Sequence, residues 1–325
     1  MNRNKQTGIA LVAILLIVAL GTVMAASMVV EQQASIQATR GFLDRGQALQ
    51  YALGGEELAR QVLYEDFSED EDTDHLLEAW ASDDLHYEFE DGEVNLKITD
   101  LQSLINLNLL SQKNPGNAPS RQRLLNLINA MGLDPAIVDR IQDWIDEDSG
   151  ARVTGAEDFE YLAFDPPYRT GNTLMADSSE IALLGMEPEW FQQLMPYLTA
   201  LPDEMTVLNV NTAQAAVLQS LAPGLSYEAA EAITQRRDEE GGYQSLQAFR
   251  QVPELAGLPG LQDGGLGVQS EFFEIRIIAR YQDRFSYLTS ILHRNSLDGS
   301  MRILYRDFSK TFRVSPVPVT EEQSG

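Results

Sequence analysis

The sequence predicts an α+β protein in which a long N-terminal helix packs on an antiparallel sheet and a large all-helical domain is inserted into that sheet. Three observations carry the prediction. Residues 9–30 contain no charge, and apolar residues recur at helical spacing well beyond them, to about Tyr64. Apolar and polar residues alternate from His86 to Ile98 and again from Phe273 to Tyr305, which is the period of strands. Of 13 prolines, eleven fall within residues 115–259 and none within 1–114 or 260–315. Two proline-free regular pieces therefore flank a middle of short helices and loops.

The uncharged run is 22 residues long. As a helix it measures ~33 Å, enough to cross a bilayer core of ~30 Å. Arg3 and Lys5 precede it and keep the short leader cytoplasmic, which places the rest of the chain outside. A cleavable secretory signal is the rival reading, with a small-residue site ending at Ala25. The run exceeds the ~7–15 apolar residues of such signals. Beyond it, Ile36, Phe42, Leu43, Leu49, Leu53, Leu58, Val62 and Leu63 mark an amphipathic helix, weakened locally by Gly54 and Gly55. Residues 65–91 hold 13 acids and no Lys or Arg, and read as a solvated loop leading into a hairpin around Asp91–Gly92. Strands around Phe273–Ile277, Phe285–Ile291 and Met301–Tyr305 extend the sheet. The Pro-, Glu- and Ser-rich tail 315–325 reads as flexible.

Three stretches of the middle look alike, each a pair of short helices around a Gly-bearing turn: 121–146, 179–198 and 211–237. The third resembles a helix-hairpin-helix unit, beginning at Leu208-Asn-Val-Asn211. Such a unit grips a phosphate backbone only with Lys or Arg close to its turn. Residues 207–255 hold three Arg (236, 237, 250) against six acids. A packing module is expected here, with no nucleic acid bound.

Composition narrows the chemistry further. Lys and Arg number 23 against 49 Asp and Glu, a net charge of −26 that repels phosphate backbones. There is no Cys, which excludes disulfides, thiolate metal sites and cysteine nucleophiles. His75, His86 and His293 lie far apart in sequence. No phosphate-binding loop, G-x-S-x-G or H-E-x-x-H motif is present. No catalytic residue is assigned, and no enzyme is expected. What stands out is residues 143–158, with six carboxylates in sixteen positions on a helix end and a Gly-bearing loop. That set suits a hard divalent ion such as calcium, which takes ~6–8 oxygens. It also suits a solvated acidic loop, and the pattern alone leaves both open. The spacing is not that of an EF-hand.

The order of these features along the chain resembles the type II secretion system minor pseudopilin K family. The leader ends at Gly8, directly before the apolar run that starts at Ile9. Ala13 stands at the fifth mature position, where most pseudopilins carry glutamate and this family does not. Asp143-Trp-Ile-Asp146-x-Asp148, followed by Gly155-Ala156-Glu157, looks like the family's calcium-binding region. The resemblance implies a pilin-like core divided into 31–111 and 257–314, a leader at 1–8 and a membrane helix at 9–30. It also implies an inserted helical domain at 112–206 and a helix-hairpin-helix-like segment at 207–256. A prepilin peptidase would cut after Gly8 and Ile9 would be methylated. The protein would sit in the bacterial inner membrane as a single span, its C-terminal domain in the periplasm, and assemble with minor pseudopilins I and J. The calcium ligands implied are Asp146, Asp148, Glu157 and Asp158, with a backbone carbonyl from Gly155 or Ala156. Asn172, Asp177 and Glu180 are weaker candidates, for a second ion. The alternatives are a membrane-anchored DNA-uptake protein and a secreted calcium-binding protein.

Overall fold

The computed structural model describes residues 6–309 apart from 70–71, 84, 112, 115–116 and 203–205, with side chains from Ala10 onward. The leader residues 1–5 and the tail 315–325 lie outside the described residues. Helix α1 (Gln6–Glu69) is one element of 64 residues, ~96 Å long at 1.5 Å per residue. It contains no proline. It continues past Tyr64, so the first acids of the 65–91 run belong to the helix and not to a loop. Its first part is exposed throughout, and an 18-residue window there reaches a mean hydropathy of 2.6, long and apolar enough to cross a membrane.

The second part of α1 lies on the sheet through Ala48, Ala52, Ala59, Leu63 and Phe67, all buried and spaced to share one helix face. Small residues let the two layers approach. A Cβ on Gly55 would stand 2.7 Å from Val94 Cγ1 and 3.0 Å from Ile277 Cγ2. Gly55 is therefore a close-approach glycine. The helix passes through it unbroken, because the packing gained there outweighs the propensity lost.

Strands β1 (Leu85–Phe89) and β2 (Gly92–Asp100) form the expected hairpin. Its turn residues are Glu90 and Asp91, and Gly92 already belongs to β2, paired with Phe89. A Cβ on Gly92 would fall 2.0 Å from the Arg280 carbonyl, so the neighbouring strand requires glycine there. After β2 the chain leaves the sheet. It returns with β7 (Phe272–Tyr281), β8 (Arg284–Arg294) and β9 (Met301–Asp307), giving a five-stranded antiparallel sheet in the order β1-β2-β7-β8-β9. The register sets Leu96 opposite Ile277, Ile98 opposite Ile275 and Phe273 opposite Leu292. These residues, with Trp80, form the core between sheet and helix.

Between β2 and β7 lie α2 (Asn117–Ala130), α3 (Ala136–Ile145), α4 (Asp158–Tyr161), α5 (Pro188–Leu194), α6 (Ala215–Gln219), α7 (Tyr227–Glu240) and α8 (Leu246–Arg250). Two short parallel pairs hold their base: β3 (Ile105–Asn106) with β4 (Leu198–Thr199), and β5 (Leu208–Asn209) with β6 (Leu266–Gly267). Gly132 and Gly185, at positive φ, make the turns of the first two helix pairs. In the second pair the leading helix is a 3₁₀ turn, Ser178–Leu184. One continuous apolar core, including Leu127, Ile141, Trp144, Val217, Ile233 and Phe249, joins all three pairs.

The 65–91 acids are not uniformly solvated. Asp74 is buried and bonded to the guanidinium of Arg294, itself buried. Asp74 Oδ2 also accepts from Ser270 N at 2.7 Å, and its carbonyl accepts from Asn209 Nδ2 at 3.1 Å. This network fastens the end of α1, the helical insertion and β8 together.

Candidate metal centre

Helix α3 buries Ile137, Val138, Ile141, Trp144 and Ile145 and ends at Asp146, its C-cap. The apolar stripe fixes the roll of the helix, and that roll turns Asp143 inward to complete burial. The loop that follows carries Asp148 and returns at Glu157, which caps the start of α4. The return brings Asp146, Asp148 and Glu157 together, with one carboxylate oxygen from each lying within 4.8 Å of the others. Asp146 and Glu157 are buried and Asp148 is exposed. Asp146 and Asp148, with Lys113 and Thr173, also line an open cleft of ≈ 510 Å³.

Electrostatics at the trio are strained in the direction a cation would relieve. Burial raises the Glu157 pKa. Thr170 Oγ1 opposes this from 3.3 Å, and the charges of Asp143, Asp146 and Asp148 raise it further. Glu157 Oε1 is buried and accepts no hydrogen bond. Asn172 Oδ1 is in the same condition, on a backbone held at φ 46°. Orphaned buried oxygens of this kind are rare in folded proteins and fit the donor set of a hard divalent ion.

The other expected ligands separate from the trio. Asp158 is adjacent in sequence to Glu157 but spends its carboxylate on Thr170 N and Oγ1, at 3.0 and 2.8 Å, and on Arg169 at 3.0 Å. Those bonds hold its pKa below the usual range. It clips the 165–172 loop to α4 and shares the Thr170 hydroxyl with Glu157, whose Oε2 lies 3.3 Å from the same oxygen. Asp177 and Glu180 form a capping box on the 3₁₀ turn, and Glu180 Oε2 accepts from Trp144 Nε1 at 3.0 Å. Gly155 lies against Asp143, and Ala156 is buried in the helical core. Sequence reasoning missed Arg152, whose Nη1 bridges Asp143 and Asp146, because a lone Arg among acids carries no spacing signal.

A second convergence, Asp66, Asp74 and Glu78, has the same spread. It already contains a cation. Arg294 is bonded to Asp74 and lies 3.5 Å from Asp66 Oδ2, while Glu78 accepts from Trp80 Nε1 and His75 N at 2.6 and 3.0 Å.

In the helix-hairpin-helix-like segment, Arg236 pairs with Glu254 at 3.0 Å, Arg237 with Asp238 at 2.8 Å and Arg250 with Asp263 at 3.1 Å. These cations are committed to the protein's own carboxylates. Ala13 sits exposed on α1, while Gly8 and Ile9 fall at the helix start, where side chains are not described.

Sequence models described as type II secretion system (T2SS), protein K match residues 103–203 and 208–269. The type II secretion system protein K of Pseudomonas aeruginosa is 34% identical, covering 95% of this chain and 94% of its own. That of Klebsiella pneumoniae is 35% identical, covering 86% and 92%. Among solved structures, a chain of the GspK-GspI-GspJ complex from enterotoxigenic Escherichia coli superposes with a TM-score of 0.74 at 26% identity, over 84% of this chain and 99% of that one. The chain therefore belongs to the type II secretion system protein K family.

Proposed function

We propose that this chain is the minor pseudopilin at the tip of the secretion pseudopilus, assembling with minor pseudopilins I and J in protein export across the outer membrane. It acts as a structural component, not as an enzyme. The observation that carries the reading is the likeness to a chain of the GspK-GspI-GspJ complex over nearly that chain's whole length. The exposed side of α1 supports it. Beyond the membrane-length run, Ile36, Phe42 and Leu43 are more than half exposed, apolar surface that the protein's own sheet does not reach. Ala13 supports the tip position. A glutamate there in other subunits would neutralise the N-terminal ammonium of a neighbour, and a terminal subunit has no such neighbour above it. The test is direct. The full chain in detergent, mixed with subunits I and J, should form one defined complex by light scattering. Three separate species at high micromolar concentration would overturn the reading.

Processing belongs to the same proposal. Prepilin peptidase cuts after Gly8, Ile9 becomes the methylated N-terminus, and the single apolar helix anchors the chain in the inner membrane with its remainder in the periplasm. Mass spectrometry of the mature chain decides this, since a start at Ala26 would mean an ordinary signal peptide.

The trio Asp146, Asp148 and Glu157 is proposed to hold calcium, with Asn172 Oδ1 and backbone carbonyls near Gly155 and Ala156 as further donors. The ion supplies positive charge that ties the end of α3 to the start of α4. A ligand bound only by the folded state stabilises it by RT ln(1 + [L]/Kd), about 2.7 kcal/mol at a hundredfold excess over Kd. EDTA should lower the melting temperature and Ca²⁺ should restore it better than Mg²⁺, which demands a tighter octahedral shell. Identical melts would leave only an acidic loop.

A further inference from the structure

Asp143 is fully buried at the end of α3. Its Oδ2 accepts from the backbone N of Arg152 at 3.0 Å, and its Oδ1 accepts from Nη1 of the same residue. That Nη1 also donates to Asp146 Oδ2 at 2.7 Å. The loop can fold this tightly because residue 155 is glycine, since a Cβ there would fall 1.8 Å from Asp143 Oδ2. Asp146 is thus held twice. Its backbone N donates to Gln142 O at 3.1 Å, and its side chain accepts from Arg152.

We propose that Asp143 and Arg152 form a positioning pair for a divalent cation on Asp146, Asp148 and Glu157, Asp143 fixing Arg152 and Arg152 fixing Asp146. The inference rests on the reading that this trio binds calcium. Neither residue belongs to the trio, and Arg152 acts through Asp146. Two effects of the guanidinium compete. Its charge repels an incoming cation, and its bond removes the freedom of a ligand that must otherwise be ordered on binding. The buried Asp143 decides between them. The Asp143–Arg152 pair is neutral as a unit, so its net repulsion is small and its orienting effect remains. A guanidinium keeps its charge at any pH a folded protein meets, so the fork is always present. Metal sites use outer partners in this way to orient ligands, and losing one typically weakens binding 10–100-fold.

The test is calcium titration calorimetry on the full chain in detergent. Arg152→Gln should weaken calcium about tenfold or more. Arg152→Lys keeps the charge but loses the planar fork, so it should fall between that variant and the wild type. Affinity that is unchanged or tighter in Arg152→Gln would mean that Arg152 is only a competing charge or a loop staple, and the pair is then wrong. If circular dichroism shows Arg152→Gln unfolded, Arg152→Lys decides, and wild-type affinity in it overturns the pair. A wild-type chain that takes up no calcium overturns the reading of the trio, and this inference with it. Calcium bound normally by the wild type and by both variants overturns this inference alone.

Discussion

Glu56, buried in the last quarter of α1, accepts two hydrogen bonds from Arg306 on the edge strand β9, at 2.6 and 2.9 Å. Ser290 Oγ donates a third at 2.5 Å. Burial alone would raise the Glu56 pKa, but the bonds from Arg306 and Ser290 overcome it and hold the group below its ordinary value. Arg306→Ala removes two hydrogen bonds from a buried carboxylate and should cost about 1–2 kcal/mol, below the buried-pair scale because Arg306 itself is exposed. A depressed carboxyl contributes stability above its unfolded pKa and loses it as pH falls through the folded one. The variant should therefore lose part of the wild type's decline at acid pH. Urea denaturation at neutral and acid pH checks both, and wild-type stability at neutral pH would refute the pairing.

Asp66 and Asp100 carry the opposite sign. Burial pushes Asp100 up to about 6 despite bonds from Ser270 and Thr212. Burial, with the charges of Glu78 and Asp74, pushes Asp66 up to about 8. A raised carboxyl contributes stability that is complete below the unfolded pKa near ~4 and is lost as pH rises through the folded value. Their contributions fade between about pH 4 and 6 for Asp100 and between about 4 and 8 for Asp66. Asp66→Asn should flatten the upper part of that window in a melting-temperature series. An unchanged slope would mean that Asp66 stays ionised throughout.

Asp158→Asn separates two adjacent acids. Because Asp158 serves Thr170 and Arg169, this variant should keep the calcium-induced rise in melting temperature while lowering the baseline only slightly. Glu157→Gln should abolish most of the rise. Equal loss in both would return Asp158 to the ligand set.

Gly155→Ala drives a methyl into the Asp143 carboxylate. The loop must open, at a cost of about 1–3 kcal/mol as for other overpacked sites. Calcium affinity should fall with it. A variant with both properties intact would show that the loop relaxes freely.

The helix, the hairpin and the later strands were legible because period and proline placement report them directly. The packing role of Gly55 was not, since a glycine that weakens a helix looks the same in sequence as one that admits a strand. The trio was half legible. Three acids of the 143–158 cluster do converge, but the path of the loop decides which, and Asp158 is held instead by Thr170 and Arg169. A further signal was present and went unread. Ile105-Asn-Leu-Asn108 and Leu208-Asn-Val-Asn211 repeat one pattern. In each, the first asparagine accepts from the backbone N two residues on, at 3.1 and 2.9 Å. The second grips a distant backbone, Met175 and Leu201 for Asn108, and Tyr243 for Asn211. The repeat marks the base of each helical lobe.

The pairing of Asp100 with Phe273 has a consequence for the time course of folding. A hairpin such as β7–β8 closes a few residues, whereas β2–β7 closes a loop holding the entire helical insertion. Each doubling of loop length adds about 0.6 kcal/mol of closure entropy, so about six doublings place roughly 3.6 kcal/mol against this one contact. The insertion removes that burden only if it collapses first and brings residues 100 and 273 together as neighbours. The order expected is lobes before sheet, with β2–β7 amides the last to gain protection in pulsed hydrogen exchange. During synthesis, β1–β2 would wait as an open edge until the lobes and the last three strands have been made.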